Sequence, residues 1–310
     1  MATAQAAEGD TALSRLQALH CIYGLHFGDF QKSLSLLNEK EKNAKALLEI
    51  FALRWREVPV AFSASNKKYE ELLLKNLTTL ENEKEPHLLT GYFKICTFLF
   101  LAEYHSLLDE NWAALKYAQK AYPLIIESID KNINLPEFQF VKGLYLYYIE
   151  FYKQKNFFYR AALSPLRSGS RQKGIAFLKA SAEQPSIAQV EARIYYSHIL
   201  MHLENRPWEA LAVSRQLATD FPENLKFTEL YADNLIRCKL YKEAISMVDR
   251  LQNQKKEYYS IPGHFFRGVI EEEYFKNTVK AKQEYEYCVE KNYTPSEVYK
   301  RLASQRLKKM

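Results

Sequence analysis

The chain has 310 residues, 47% hydrophobic and 26% charged, which excludes an intrinsically disordered protein and leaves room for one large or two ordinary domains. Its 9 glycines and 10 prolines fall well below the usual combined share of about 12%. That shortage argues against turn-rich β sandwiches and barrels, and no GxGxxG or GxxxxGK[ST] loop is present to cradle a phosphate. A net charge of +6 permits acidic partners without the clustered Lys/Arg of a nucleic-acid-binding domain.

The start, MATAQAAEGDTALS, is small and polar, with neither a basic segment nor an apolar one. Residues 1–12 are expected to be disordered, in the manner of a stretch that follows a cleavage site. The localisation implied is periplasmic or cell-envelope if a signal segment was removed, and cytoplasmic otherwise. From residue 13 onward, helical periodicity dominates. LQALHCIYGLHFGDFQKSLSLLNEK predicts a helical hairpin with Cys21 and Ser33 at the contact between its arms. KALLEIFALRWREV and KKYEELLLKNLTTLE predict two helices between Asn43 and Leu80, separated by a Ser-rich turn. In YFKICTFLFLAEYHSLLDENWAALKYAQKAYP, Ala102 and Ala114 lie twelve residues apart. Gly143 and Gly174 mark another hairpin, whose loop, 150–172, is enlarged and basic.

Two further segments, EARIYYSHILMHLENRPWEALAVSRQLATDFPEN and LKFTELYADNLIRCKLYKEAISMVDRLQNQ, set Ala210 and Ala244 thirty-four residues apart, with Pro222 closing the first. With Ala244 at the twentieth place of a thirty-four-residue unit, Tyr231, Ala232 and Leu251 take the seventh, eighth and twenty-seventh. His198 stands where the preceding unit should carry a small residue. Gly268 and Ala281 form a pair thirteen apart. The final YTPSEVYKRLASQRLKKM reads as a polar capping helix over 295–308, with Pro295 at its first position after Thr294.

On these residues the chain resembles the tetratricopeptide repeat (TPR) superfamily, whose thirty-four-residue units carry small residues at the eighth and twentieth places. GLYLYYIEFYKQKNFFYRAALSPLRSGSRQKGIAFLKAS, through Gly143, Tyr145, Tyr147, Tyr148, Gly169, Gly174 and Leu178, is also similar to a block in bacterial TPR proteins predicted to be exported, and distantly to the inclusion-body-clearance TPR family. The resemblance implies an all-α fold, a right-handed superhelical stack of about five to seven antiparallel hairpins forming one α-solenoid over 13–310. It also implies a concave groove lined by the second, fifth, ninth and twelfth places of each first helix. Those places are Glu137, Phe140, Leu144 and Tyr147; then Ala192, Tyr195, Ile199 and His202; then Lys226, Glu229, Asp233 and Ile236. Of these, Phe140, Tyr147, Tyr195, His202, Lys226, Glu229 and Asp233 are the expected partner contacts. The Lys/Asn/Arg cluster that clamps a carboxylate terminus is lacking.

Residues for chemistry are sparse. Cys21, Cys96, Cys238 and Cys288 are scattered among apolar residues, which suits buried free thiols and no zinc site. His198 and His202 share a helix face, but HILMH has no Glu in the HExxH position and no third ligand in view. No catalytic constellation and no cofactor or metal are expected. The densest feature is the basic–aromatic stretch 142–179, with Lys153, Lys155, Arg160, Arg167, Arg171 and Lys173 interleaved with Tyr145, Tyr147, Tyr148, Tyr152, Phe157, Phe158 and Tyr159. It reads first as core aromatics beneath a solvated basic loop. An acidic peptide is the next reading, then an anionic lipid surface or single-stranded nucleic acid. The expected function is a non-catalytic scaffold that binds another protein or an extended peptide, with no specific nucleic-acid partner and no transmembrane segment. The alternative is a small-molecule or lipid binder with a pocket closed by the 150–172 loop.

Overall fold

In the computed structural model the described residues are 2–38, 41–57, 67–84, 87–155, 157–291 and 297–310. They form sixteen α-helices and no strand. In chain order these are α1 (Ala2–Tyr23), α2 (Phe27–Ser35), α3 (Lys42–Glu57), α4 (Lys67–Glu81), α5 (Leu88–Leu107), α6 (Asn111–Asp130), α7 (Pro136–Lys155) and α8 (Phe157–Leu163). They continue with α9 (Arg171–Glu183), α10 (Gln189–His198), α11 (Pro207–Asp220), α12 (Leu225–Arg237), α13 (Tyr241–Gln252), α14 (Glu257–Glu273), α15 (Thr278–Glu290) and α16 (Glu297–Leu307). Helices neighbouring in sequence pack as pairs.

The shortage of glycine has a local explanation in the turns between helices. Among the described residues six turns end in a left-handed residue other than glycine: Leu25, Asp109, Asn132, Asn205, Lys239 and Lys276, with φ between 47° and 64°. At four of them the next amide reaches back five residues, as in His26 N to the Cys21 carbonyl at 2.8 Å and Leu240 N to the Leu235 carbonyl at 2.8 Å. This is the Schellman closure of a helix C-terminus, where glycine is the usual residue. The chain therefore closes its helices by a glycine motif without glycine. Asn205 and Lys239 stand thirty-four residues apart, the same spacing as Ala210 and Ala244.

The chain divides into two compact units. The first contains Met1–Ile22, His26–Trp55 and Ser63–Tyr196; the second contains Tyr23–Leu25, Arg56–Phe62 and Ser197–Met310. Hairpins bury their apolar faces mainly on their sequence neighbours, so contacts in a long array stay local and the chain can separate into blocks.

In the first unit, α4 packs on α5, α5 on α6, and α7 on both α6 and α9. The α7–α9 contact depends on Gly143 and Gly174. A Cβ at Gly174 would lie 2.6 Å from the Tyr147 amide nitrogen, and one at Gly143 would lie 2.8 Å from Leu178 Cγ. Two other expected contacts are present: Cys21 Sγ lies 3.9 Å from Ser33 Oγ, and α3 and α4 cover the two helices predicted between Asn43 and Leu80. The Ser-rich turn between them, and the Thr294–Pro295 cap, lie outside the described residues.

In the second unit each helix from α11 to α16 packs on the next, and α14 also touches α12 and α16. Ala210, Ala232, Ala244 and Ala281 are fully buried, as the small-residue spacing requires. A Cβ at Gly268 would meet the Tyr285 ring at 2.5 Å. Directly after His198, the helix widens into a π-helical turn over Ile199–Leu203.

Two expectations about boundaries are corrected. Helix α1 begins at Ala2, inside the stretch expected to be disordered; its alanine-rich composition favours helix. The 150–172 segment is not one enlarged loop. Helix α7 runs on to Lys155 and α8 occupies Phe157–Leu163, leaving 164–170 as the connection to α9. The sequence there is rich in helix-compatible residues until Ser164-Pro165, where proline disfavours helix at the residue before it.

Candidate functional site

The first unit holds a partly open cavity of roughly 620 Å³ between α5, α6, α7 and the α8–α9 connection. Its walls are aromatic and aliphatic, with Phe100, Phe140, Tyr145, Tyr148 and Tyr195 prominent. Helix α7 supplies Phe140, Leu144, Tyr145, Tyr148 and Tyr152 at spacings of three and four residues, which put them on one helix face. Burial pushes the Tyr148 phenol up to about 12, and raises that of Tyr195 against the lowering pull of Arg54. These phenols stay neutral across physiological pH.

At one side the lining becomes charged. Glu103 and Glu191 both line the cavity. Arg54 binds Glu103 through two N–H groups at 3.1 and 3.2 Å and lies 3.6 Å from Glu191. The Trp55 indole N–H donates to Glu191 at 3.2 Å. Arg54 also sits over the Phe100 ring, 5.4 Å from its centroid. Glu103 is exposed, whereas Glu191 is buried, and its charge there is tolerable only with partners such as Arg54 and Trp55.

Leu163 and Leu166 close part of the cavity, and the segment carrying them is tied down by its backbone. The Tyr145 hydroxyl donates to the Arg167 carbonyl at 2.6 Å, and the Arg167 amide donates to the Tyr122 hydroxyl at 3.0 Å. Lys153 Nζ donates to the Leu166 carbonyl at 3.2 Å, and the Ser170 amide to the Leu146 carbonyl at 3.0 Å. Gly169 lets the connection lie against α7, because a Cβ there would meet the Leu146 carbonyl oxygen at 2.3 Å.

Of the basic residues singled out by sequence, Lys153 and Arg167 act in this fastening, and the others make contacts elsewhere. Arg160 Nε donates to the Lys153 carbonyl at 3.4 Å, and Arg167 pairs with Asp130. Arg171 donates to Gln154 at 3.1 Å and lies over the Tyr147 and Phe151 rings at 5.9 Å. Lys155 lies over the Tyr152 ring at 5.7 Å. Lys173 is exposed and lines a second, partly open cavity of about 650 Å³ together with Lys142, Arg167, Ser168 and the apolar Leu146 and Phe177.

The expected groove residues divide three ways. Phe140 and Tyr195 meet in the apolar cavity, their ring centroids 5.7 Å apart. Tyr147 is fully buried where α7 meets α9, so it presents nothing to a partner. In the second unit, His202 pairs with Asp233 at 3.2 Å and Lys226 with Glu229 at 2.6 Å, while Tyr299 donates to Glu229 at 2.6 Å. Glu229 is buried. Their charges are largely answered within the chain. Sequence reasoning missed Arg54, Glu103 and Glu191, which come from three distant segments and share no local motif.

Cys96, Cys238 and Cys288 are buried free thiols and Cys21 is half-buried; burial pushes Cys96 and Cys288 up to about 12, a range in which a thiol is inert. Among the described residues no group of three or more His, Cys, Asp or Glu side chains is placed to hold a metal, and no helix is long and apolar enough to cross a membrane. No protein-family model, curated protein or solved structure matches the chain.

Proposed function

We propose that the first unit binds a small, largely apolar ligand in the cavity between α5, α6 and α7, with no catalytic step of its own. The observation that carries this reading is the cavity itself: roughly 620 Å³ walled by phenylalanine, tyrosine and leucine, within the range of small-molecule sites. The bonds from Tyr122, Tyr145 and Lys153 to the Leu166–Arg167 backbone support a partial cover that is fastened over one side of the cavity yet can be released by breaking a few hydrogen bonds. The test is binding of a neutral solvatochromic dye and of decanol, measured by fluorescence and calorimetry. Saturable one-to-one binding, weakened by Leu144→Asp, is the expected result. Failure of the wild-type chain to bind either probe would overturn it.

We also infer that the paired helices belong to a TPR-like right-handed stack, on the strength of the buried alanines at the eighth and twentieth places and of the thirty-four-residue spacing of Asn205 and Lys239. A peptide or protein partner is the second reading. It is favoured by Trp112 and Trp208, which are 86% and 63% exposed; tryptophan is enriched at interfaces. Affinity capture comparing wild type with Trp112→Ala and Trp208→Ala tests it, and equal capture of every partner by all three proteins would remove it.

A further inference from the structure

The second cavity of the first unit has a different chemistry. About 650 Å³ in volume and partly open to solvent, it has apolar walls from Ile129, Leu146 and Phe177 and a basic side made by Lys142, Lys173 and Arg167, and among the described residues no Asp or Glu lines it. Lys142 is only 2% exposed. Its Nζ donates to the Ile133 carbonyl and lies 5.1 Å from the Phe177 ring centroid. Among the described residues no carboxylate pairs with it. Burial draws its pKa below the usual lysine range, and no neighbouring acid pulls it back. A buried ammonium of this kind is costly unless an anion accompanies it.

Three further features of the cavity point the same way. Helix α9, thirteen residues long, begins at its edge, with Ser170 as N-cap accepting from the Lys173 amide at 3.3 Å. The first turn of α9 carries no acidic residue, so nothing in that turn offsets the positive end of its dipole. Lys173, one turn in, is exposed. Arg167 contributes less, because it already pairs with Asp130.

We propose that this cavity is an anion site, holding a phosphate-type group between the Lys142 and Lys173 ammonium ions and the amide end of α9. The site takes a small phosphorylated molecule or the phosphate of a lipid headgroup; the chemistry that recognises them is the same. It is independent of the apolar cavity, although the segment carrying Leu166 and Arg167 helps to wall both.

The test uses the full chain at constant ionic strength, with potassium chloride as the control. Inorganic phosphate and glycerol 3-phosphate are titrated by calorimetry and by thermal melting. Phosphatidylcholine vesicles with and without phosphatidic acid are tested by co-sedimentation. The expected result is saturable binding that chloride does not reproduce, weakened at least about tenfold by Lys142→Met and several-fold by Lys173→Gln. The Met substitution keeps the stem and removes the charge; if that variant does not fold, Lys173→Gln on the exposed surface carries the test. Binding of the soluble phosphates assigns a free ligand, and binding confined to phosphatidic acid vesicles assigns a headgroup, either supporting the site. Equal effects of phosphate and chloride, unchanged phosphate affinity in the foldable lysine variants, or no binding to any probe would overturn it.

Discussion

Replacing Gly174 by alanine adds one methyl group at the point where α9 meets α7. That methyl carbon would lie 2.6 Å from the Tyr147 nitrogen, 2.7 Å from Tyr147 Cβ and 2.8 Å from the Gly143 oxygen. Ordinary contacts begin near 3.4 Å, so the two helices must part by most of an ångström. Two of the three obstructing atoms are backbone, and the third is fixed to it, so no side-chain rotation relieves the clash. Overpacking of this kind costs about 1–3 kcal/mol, against a gain of about 1 kcal/mol from the better helix propensity of alanine. Separation of the helices also loosens Leu178 and Ala182, both buried on α9, which moves the net loss toward about 1–3 kcal/mol. The melting temperature should then fall by about 2–4 °C for each kcal/mol lost. The control is Gly28→Ala in α2, where nothing lies within 4 Å of the added carbon and φ is not positive. Near a helix start its gain should be about 0.5 kcal/mol. Thermal and urea melts followed by far-UV circular dichroism compare the two variants. If Gly174→Ala proves neutral or stabilising, the close α7–α9 approach argued from the glycines is wrong.

Other predictions follow from the turns, the buried acid and the cover. Lys239→Gly should raise stability by about 1 kcal/mol, because Lys239 sits at φ 59°, where a side chain is unfavourable and glycine is not; a urea midpoint checks it. Burial holds the Glu137 carboxyl above its ordinary range, against the lowering hydrogen bonds from its own and the Ile187 amides. The unfolded chain therefore loses this proton first, and the group contributes a loss of stability that grows as pH rises from about 4.5 through the raised folded value. Glu137→Gln should accordingly be more stable relative to wild type at pH 7 than at pH 4, which melts at the two pH values measure. Tyr145→Phe removes the 2.6 Å bond to the Arg167 carbonyl and should cost about 1 kcal/mol. It should also speed proteolysis within 164–170 and quicken dye release from the apolar cavity.

Much of the fold is written locally. The apolar spacing of the hairpins, Ala232 and Ala244 twelve apart, and Gly143 and Gly174 on facing helices are properties of short stretches, each acting within one helix or one hairpin. Low glycine predicts helices, yet the turns carry Asp109, Asn205 and Lys239 at positive φ, which composition does not reveal. The helix over 150–155 and 157–163 was equally hidden, because the basic residues there look solvated until Lys153 and Arg160 are seen bonded to backbone carbonyls.

The candidate sites are legible only in part. Phe140, Tyr145, Tyr148 and Tyr152 share a face of one helix, and their spacing alone says so. Whether that face meets solvent, another helix or a cavity depends on what packs opposite, and Tyr147 next to them is fully buried. Arg54, Glu103 and Glu191 come together from residues up to 137 positions apart, a distance over which no periodicity operates. The sequence by itself determined the helices, their pairing with sequence neighbours and the small residues between them, because those depend on contacts between adjacent helices. Tertiary structure alone decided which aromatics enclose space, which cations fasten the 164–170 segment, and that Lys142 is buried beside a cavity without an acid, because burial is set by the surfaces that several helices present to one place.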